Sequence, residues 1–100
     1  DAIEQYIVRL VMATRQPSDY DSVLAKWLSM GVSPRATIAL DRCARAHAWL
    51  AGRDFVSPED VQAMAYPVLR HRLLLSYHAQ AEGITANQVI DKLLNLVGSA

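Results

Sequence analysis

In Gly31-Val32-Ser33-Pro34-Arg35-Ala36 a helix start and a cation coincide. Ser33 is a good N-cap, and Pro34 suits the first helical position, where a missing N–H costs nothing. Such a start presents free backbone N–H groups and a partial positive charge. Adding Arg35 there is unfavourable by a few tenths up to about 1 kcal/mol. The placement turns favourable when an anion, such as a phosphate, docks in front of the helix. Spacing alone fits at least as well an Arg35 that simply points into water.

Other reactive side chains are scattered. His71 and Arg72 follow Pro67, with Arg70 beside them. They suit a subunit interface or a contact with another domain. Equally, His71 could cap local backbone and Arg72 could pair with an acidic neighbour. His47 sits in an apolar run and reads as a hydrogen-bonded core histidine. His78 has no partner at metal-ligand spacing except the distant His71, so no zinc site is expected. Cys43 is the single cysteine, which excludes an intrachain disulfide and reads as a small buried residue. Trp27 and Trp49 read as packing residues, with ligand binding as the alternative. No Gly-x-x-x-x-Gly-Lys-Ser/Thr loop and no Mg²⁺-holding acidic cluster occurs, so no catalytic residue is expected in this chain.

The elements that carry these residues are helices. The spacing of Ile3, Ile7, Leu10 and Val11 predicts a first helix from Ala2 to Arg15, stopped before Pro17. Val23, Leu24, Trp27 and Leu28 predict a short helix from Asp21 to Met30, ended by a left-handed Gly31. From Ala36 to Ala51 the chain is apolar nearly all round, which predicts a central helix with neighbours on several sides, closed by Gly52. Ser57-Pro58-Glu59-Asp60 caps and charges another start, with Val56 and Val61 as its staple. That helix is expected to kink or end at Pro67. Residues 70–82 read as helix or irregular structure, although Leu73, Leu75 and Tyr77 alternate like a strand. Thr85 and Gln88 form a second capping box, and Val89, Ile90, Leu93, Leu94 and Val97 line the last helix. The fold class is all-α, a bundle of four main helices and a short one, in one domain over 1–100.

Composition agrees. Hydrophobic residues make up 52% and aromatics 7%, with four Gly and four Pro, so the core is aliphatic and helical. One hundred residues can bury roughly two-thirds of the unfolded surface without metals or disulfides. Ten basic and ten acidic residues give zero formal charge, which argues against nucleic acid as a partner. No apolar run is long enough to span a membrane and no leader resembles a signal peptide, so the cytoplasm is the expected compartment. The chain opens inside a helical pattern at Asp1-Ala2-Ile3 without Met, and the expectation is a domain cut from a longer protein.

Four stretches resemble, in order, motifs of the MoxR-type AAA+ ATPases. Gly-Val-Ser-Pro-Arg-Ala at 31–36 is similar to that family's Gly-Ala-Ser-Pro-Arg-Ala, with Val32 for the usual Ala. Gly52-Arg53-Asp54-Phe55-Val56-Ser57-Pro58-Glu59-Asp60-Val61 resembles its Gly-Arg-Asp-Tyr-Val-Thr-Pro-Glu-Asp-Val. Val68-Leu69-Arg70-His71-Arg72 is similar to its Val-Leu-x-His-Arg, and Thr14-Arg15 to the pair that closes its first lid helix. The segment from Ser18 to Met30 is longer than in many relatives.

The resemblance implies the C-terminal lid of such an ATPase, with the nucleotide-binding core outside this chain. It implies that Arg35 is the sensor 2 arginine reaching the γ-phosphate, that Ser33 and Pro34 orient it, and that Tyr6 lies near the adenine. ATP and Mg²⁺ would be held by the core, and the full protein would form a ring, expected to be a hexamer. Such proteins act as chaperone-like machines, often with von Willebrand A domain partners. The alternative is a stand-alone helical module that binds protein or DNA.

Overall fold

The long helices that open at Arg35, Pro58 and Ala86 each begin where the sequence supplies a start signal. The computed structural model describes residues 2–98, so Asp1, where the helical pattern opens, lies outside the described residues. The elements are α1 (Ala2–Arg15), a 3₁₀ turn (Pro17–Asp19), α2 (Ser22–Trp27), β1 (Leu28–Met30), α3 (Arg35–Leu50), α4 (Pro58–Leu69), β2 (Leu74–Leu75), α5 (Tyr77–Ala81) and α6 (Ala86–Leu96). The class is mostly α, as expected. There are four main helices, but two short ones and a two-stranded ribbon accompany them among the described residues.

The caps behave as read. Ser57 and Asp60 form one reciprocal capping box, and Thr85 and Gln88 form another. Asp21 caps α2, its carboxylate accepting from the Val23 and Leu24 N–H groups. Gly52 ends α3 with φ of +83°, where only glycine is unstrained.

Three expectations need correction. The helix from Asp21 stops at Trp27, because Leu28–Met30 turns extended and pairs antiparallel with Leu74–Leu75. The ribbon is held at its end by the Ser76 N–H on the Trp27 carbonyl at 2.9 Å. Of the two outcomes expected at Pro67, the stop does not occur, and α4 runs on to Leu69. Pro67 and Ala63 lie on its exposed face, where water can replace the N–H that Pro67 does not offer the Ala63 carbonyl, while Val68 and Leu69 are buried behind it. Finally, α3 is not surrounded. Ala36, Leu40, Ala44 and Ala48 form one buried stripe at four-residue spacing, facing α1 and α4. Ile38, Trp49 and Leu50 stand exposed on the other side. The remaining helices pack elsewhere, α6 on α1, α2 and α4 and α5 on α2, which leaves that side of α3 uncovered.

The core joins that stripe to Ile7, Leu10 and Val11 of α1, Val61, Ala65 and Leu69 of α4, and Val89, Ile90 and Leu93 of α6. Small residues let α3 and α4 approach closely. Trp27 packs partly buried against this core, with the Lys92 ammonium over its ring at 5.6 Å. Cys43 is half-buried at its margin.

Candidate functional site

Arg35 opens α3 with its side chain exposed and without a hydrogen bond or ion pair among the described residues. The first turn of α3 holds no carboxylate that could neutralise it. Around it the backbone is well bound. Ser33 Oγ accepts from the Arg35 N–H at 3.2 Å, the Ser33 carbonyl accepts from Ala36, and the Pro34 carbonyl accepts from both the Thr37 N–H and its hydroxyl. The expected row of open amides is therefore largely satisfied within the chain. What this end offers an anion is the guanidinium and the helix dipole, at the end of the helix where a lone cation is least favoured.

The position of this helix start is set from α1. Thr14 is buried, donates its hydroxyl to the Val11 carbonyl at 2.6 Å, and accepts from the Val32 N–H at 3.2 Å. Arg15 Nη1 donates to the Val32 carbonyl at 3.1 Å. Both polar groups of the Val32 backbone are thus tied to the last turn of α1. Gly31 makes this possible, though not by the left-handed conformation expected of it. A Cβ on Gly31 would fall 2.1 Å from the Thr14 carbonyl oxygen, so its role is close backbone approach. Two motifs separate in the sequence, Thr14-Arg15 and Gly31-Val32-Ser33-Pro34-Arg35, are thereby one structural unit.

Tyr6 is placed elsewhere. It has no accessible surface, and its hydroxyl accepts from Gln62 Nε2 at 3.3 Å. The Tyr6 ring is thus packed into the core between α1 and α4 rather than presented at the surface. His71 and Arg72 lie in an exposed turn after α4 and bond to none of Ser33, Pro34 or Arg35. Arg72, not His71, caps the backbone, donating to the Val68 carbonyl at 2.6 Å. Arg70 reaches Asn87 Oδ1 at 2.9 Å.

The residue the sequence reading undervalued is Asp60. Read as a dipole-complementing first-turn acid, it is fully buried. It accepts from the Ser57 N–H at 2.8 Å and the Ser57 hydroxyl at 3.1 Å, faces His47 Nδ1 at 2.7 Å, and takes a two-point contact from Arg53. Burial alone would raise its pKa; the Ser57 N–H, His47, the Ser57 hydroxyl and Arg53 outweigh this and hold it below its usual 3.8. The run from Arg53 to Asp60 therefore fastens the end of α3 to the start of α4. His47 is hydrogen-bonded as expected but partly exposed. His78 pairs with Glu82 at 2.6 Å, and no metal-binding cluster of three or more such side chains occurs among the described residues. No helix of the described residues is long and apolar enough to cross a membrane.

Residues 22–93 match the AAA lid domain family. The chain is similar to the chaperone MoxR1 of Mycobacterium tuberculosis, 41% identical over 97 residues, covering 96% of this chain and 26% of that protein. It is equally similar to the uncharacterised protein YeaC of Bacillus subtilis, 41% over 98 residues, covering 97% and 28%. The MoxR protein of Paracoccus denitrificans is 42% identical over 80 residues, or 75% of this chain and 24% of that one. A crystal structure described as a "putative ATPase" from Cytophaga hutchinsonii superposes with a TM-score of 0.92 at 43% identity, over 98% of this chain and 30% of that chain. The chain thus spans between about a quarter and a third of the length of these relatives.

Proposed function

This chain belongs to the AAA lid domains, in the MoxR family of AAA+ ATPases, and on that premise we propose that it closes over ATP held by a nucleotide-binding core elsewhere in the full-length protein. Arg35 supplies the sensor 2 cation that meets the γ-phosphate. Ser33 and Pro34 shape the helix end that carries it. The observation that carries this reading is the exposed guanidinium, unpaired among the described residues, on a helix start bound firmly to α1. A positioned cation of this kind stabilises charge that develops on the phosphoryl group during transfer, and needs little rearrangement to do so.

ATP and Mg²⁺ belong to the core on this reading, and Arg35 is the described residue suited to touch the nucleotide. Nucleotide state would set the angle of the lid as a rigid body and so drive chaperone-like remodelling of other complexes. The full-length protein would act as a cytoplasmic ring, a hexamer, with von Willebrand A domain proteins among its partners. Exposed Trp49, Leu50 and Phe55 favour burial of that end of the domain against another protein surface.

The test is Arg35→Ala in the full-length protein. ATP turnover should fall about tenfold or more, with the far-UV circular dichroism spectrum unchanged. Turnover and nucleotide affinity equal to the parent's would remove Arg35 from the mechanism.

A further inference from the structure

The guanidinium of Arg35 sits on a flexible side chain, so its reach is only as well defined as the backbone beneath it. That backbone is anchored at one place a few residues upstream. Val32 is buried, and its N–H has one acceptor among the described residues, the hydroxyl of Thr14. The same hydroxyl is oriented by donating to Val11, which leaves a lone pair directed at Val32. The Val32 carbonyl is held by Arg15. Gly31 lies so close to the Thr14 backbone that no side chain fits between them. The core packing of α3 against α1 and α4 sets the helix as a whole, and this contact ties its first residues to the end of α1.

We infer that Thr14, assisted by Arg15, is a positioning residue for Arg35: its hydroxyl holds the Val32 backbone so that the guanidinium meets the reacting phosphate in one geometry. Thr14 touches no nucleotide; it acts through the chain. The inference rests on the reading of Arg35 given above. A displacement of about 1 Å at a reacting group can cost about 10²-fold in rate. Loosening the contact therefore lowers turnover far more than it lowers nucleotide binding, which the core dominates.

The experiment uses the full-length protein and steady-state ATP hydrolysis. Thr14→Val keeps the shape and removes the hydroxyl, and Arg15→Ala removes the second tie from an exposed position. We expect kcat to fall about tenfold for Thr14→Val and about threefold for Arg15→Ala, with the KM for ATP moved less than about twofold. Thr14→Ser, which restores the hydroxyl, should return kcat to within about twofold of the parent. In an Arg35→Ala background neither Thr14→Val nor Arg15→Ala should lower turnover further, since coupled residues are non-additive. Equal losses in both backgrounds would mean a general structural effect and overturn the inference. So would unchanged kcat in Thr14→Val while Arg35→Ala is impaired. Should Thr14→Val fail to fold, Arg15→Ala decides alone by the same comparison. An Arg35→Ala protein with parental turnover would instead bring down the reading of Arg35 itself, and this inference with it.

Discussion

Replacing Gly31 by alanine should damage this domain out of proportion to the one methyl group it adds. The new Cβ would lie 2.1 Å from the Thr14 carbonyl oxygen, 2.4 Å from its carbon and 2.8 Å from the Arg15 nitrogen. All three are backbone atoms, so no side-chain rotation relieves the clash. The loop and α1 must part by more than an ångström. Parting breaks the Val32 bond to Thr14 and the Arg15 bond to Val32. Overpacking costs about 1–3 kcal/mol, and a buried N–H left unsatisfied costs about 1–3 kcal/mol. The combined loss is about 4 kcal/mol, a large share of the roughly 5–15 kcal/mol that holds a domain together. At about 4–8 °C per kcal/mol, Tm should drop by about 15 °C or more. Urea and thermal unfolding followed by circular dichroism measure this directly. Two controls separate the causes. Gly98→Ala meets nothing and should change stability by less than about 0.5 kcal/mol. Gly52→Ala has space but a φ of +83°, and should cost about 1–2 kcal/mol. A Gly31→Ala protein as stable as Gly98→Ala would refute the close-approach argument and, with it, the account of how α3 is placed.

Removing the buried charge by Asp60→Asn should destabilise the chain by about 2–3 kcal/mol at pH 7, because Arg53, His47 and the Ser57 N–H lose an ionised acceptor; urea midpoints report it. Since the folded state holds the Asp60 pKa below 3.8, its stabilisation is complete above that value and is lost as pH falls through the lower folded value. The gap between parent and Asp60→Asn should therefore narrow below about pH 4, and a gap that is constant from pH 7 to pH 2 would contradict the assignment. Thr85→Ala removes the α6 cap and should cost about 1 kcal/mol, seen as a shift in urea midpoint without a change in m-value.

Much of this fold was legible because its signals are local. Ser57, Gly52, Thr85 and Gln88 announce their helix ends within a few residues, and the stripes of α1 and α6 repeat over several turns. The ribbon was not legible for the opposite reason. Leu28–Met30 pairs with a segment more than forty residues away, while Leu24, Trp27 and Leu28 on their own are spaced like one helix face. Gly31 illustrates a subtler limit: a glycine needed for close approach and one needed for positive φ look identical in a sequence. Asp60 fits a cap box and a dipole on sight, but its burial arises only once Arg53 and His47 converge on it from the end of α3. Tyr6 borders the apolar stripe of α1, and nothing local says that the ring turns inward onto Gln62. Arg35 was legible as a cation at a helix start; its anchorage through Thr14 was not, because residues 14 and 32 meet only in three dimensions.

The most direct measurement is a structure of the full-length protein with Mg²⁺ and a non-hydrolysable ATP analogue. The account predicts an Arg35 guanidinium nitrogen about 2.7–2.9 Å from a γ-phosphate oxygen, with Val32 still bound to Thr14. Arg35 paired to a carboxylate, or left in solvent while another cation occupies that position, would contradict it.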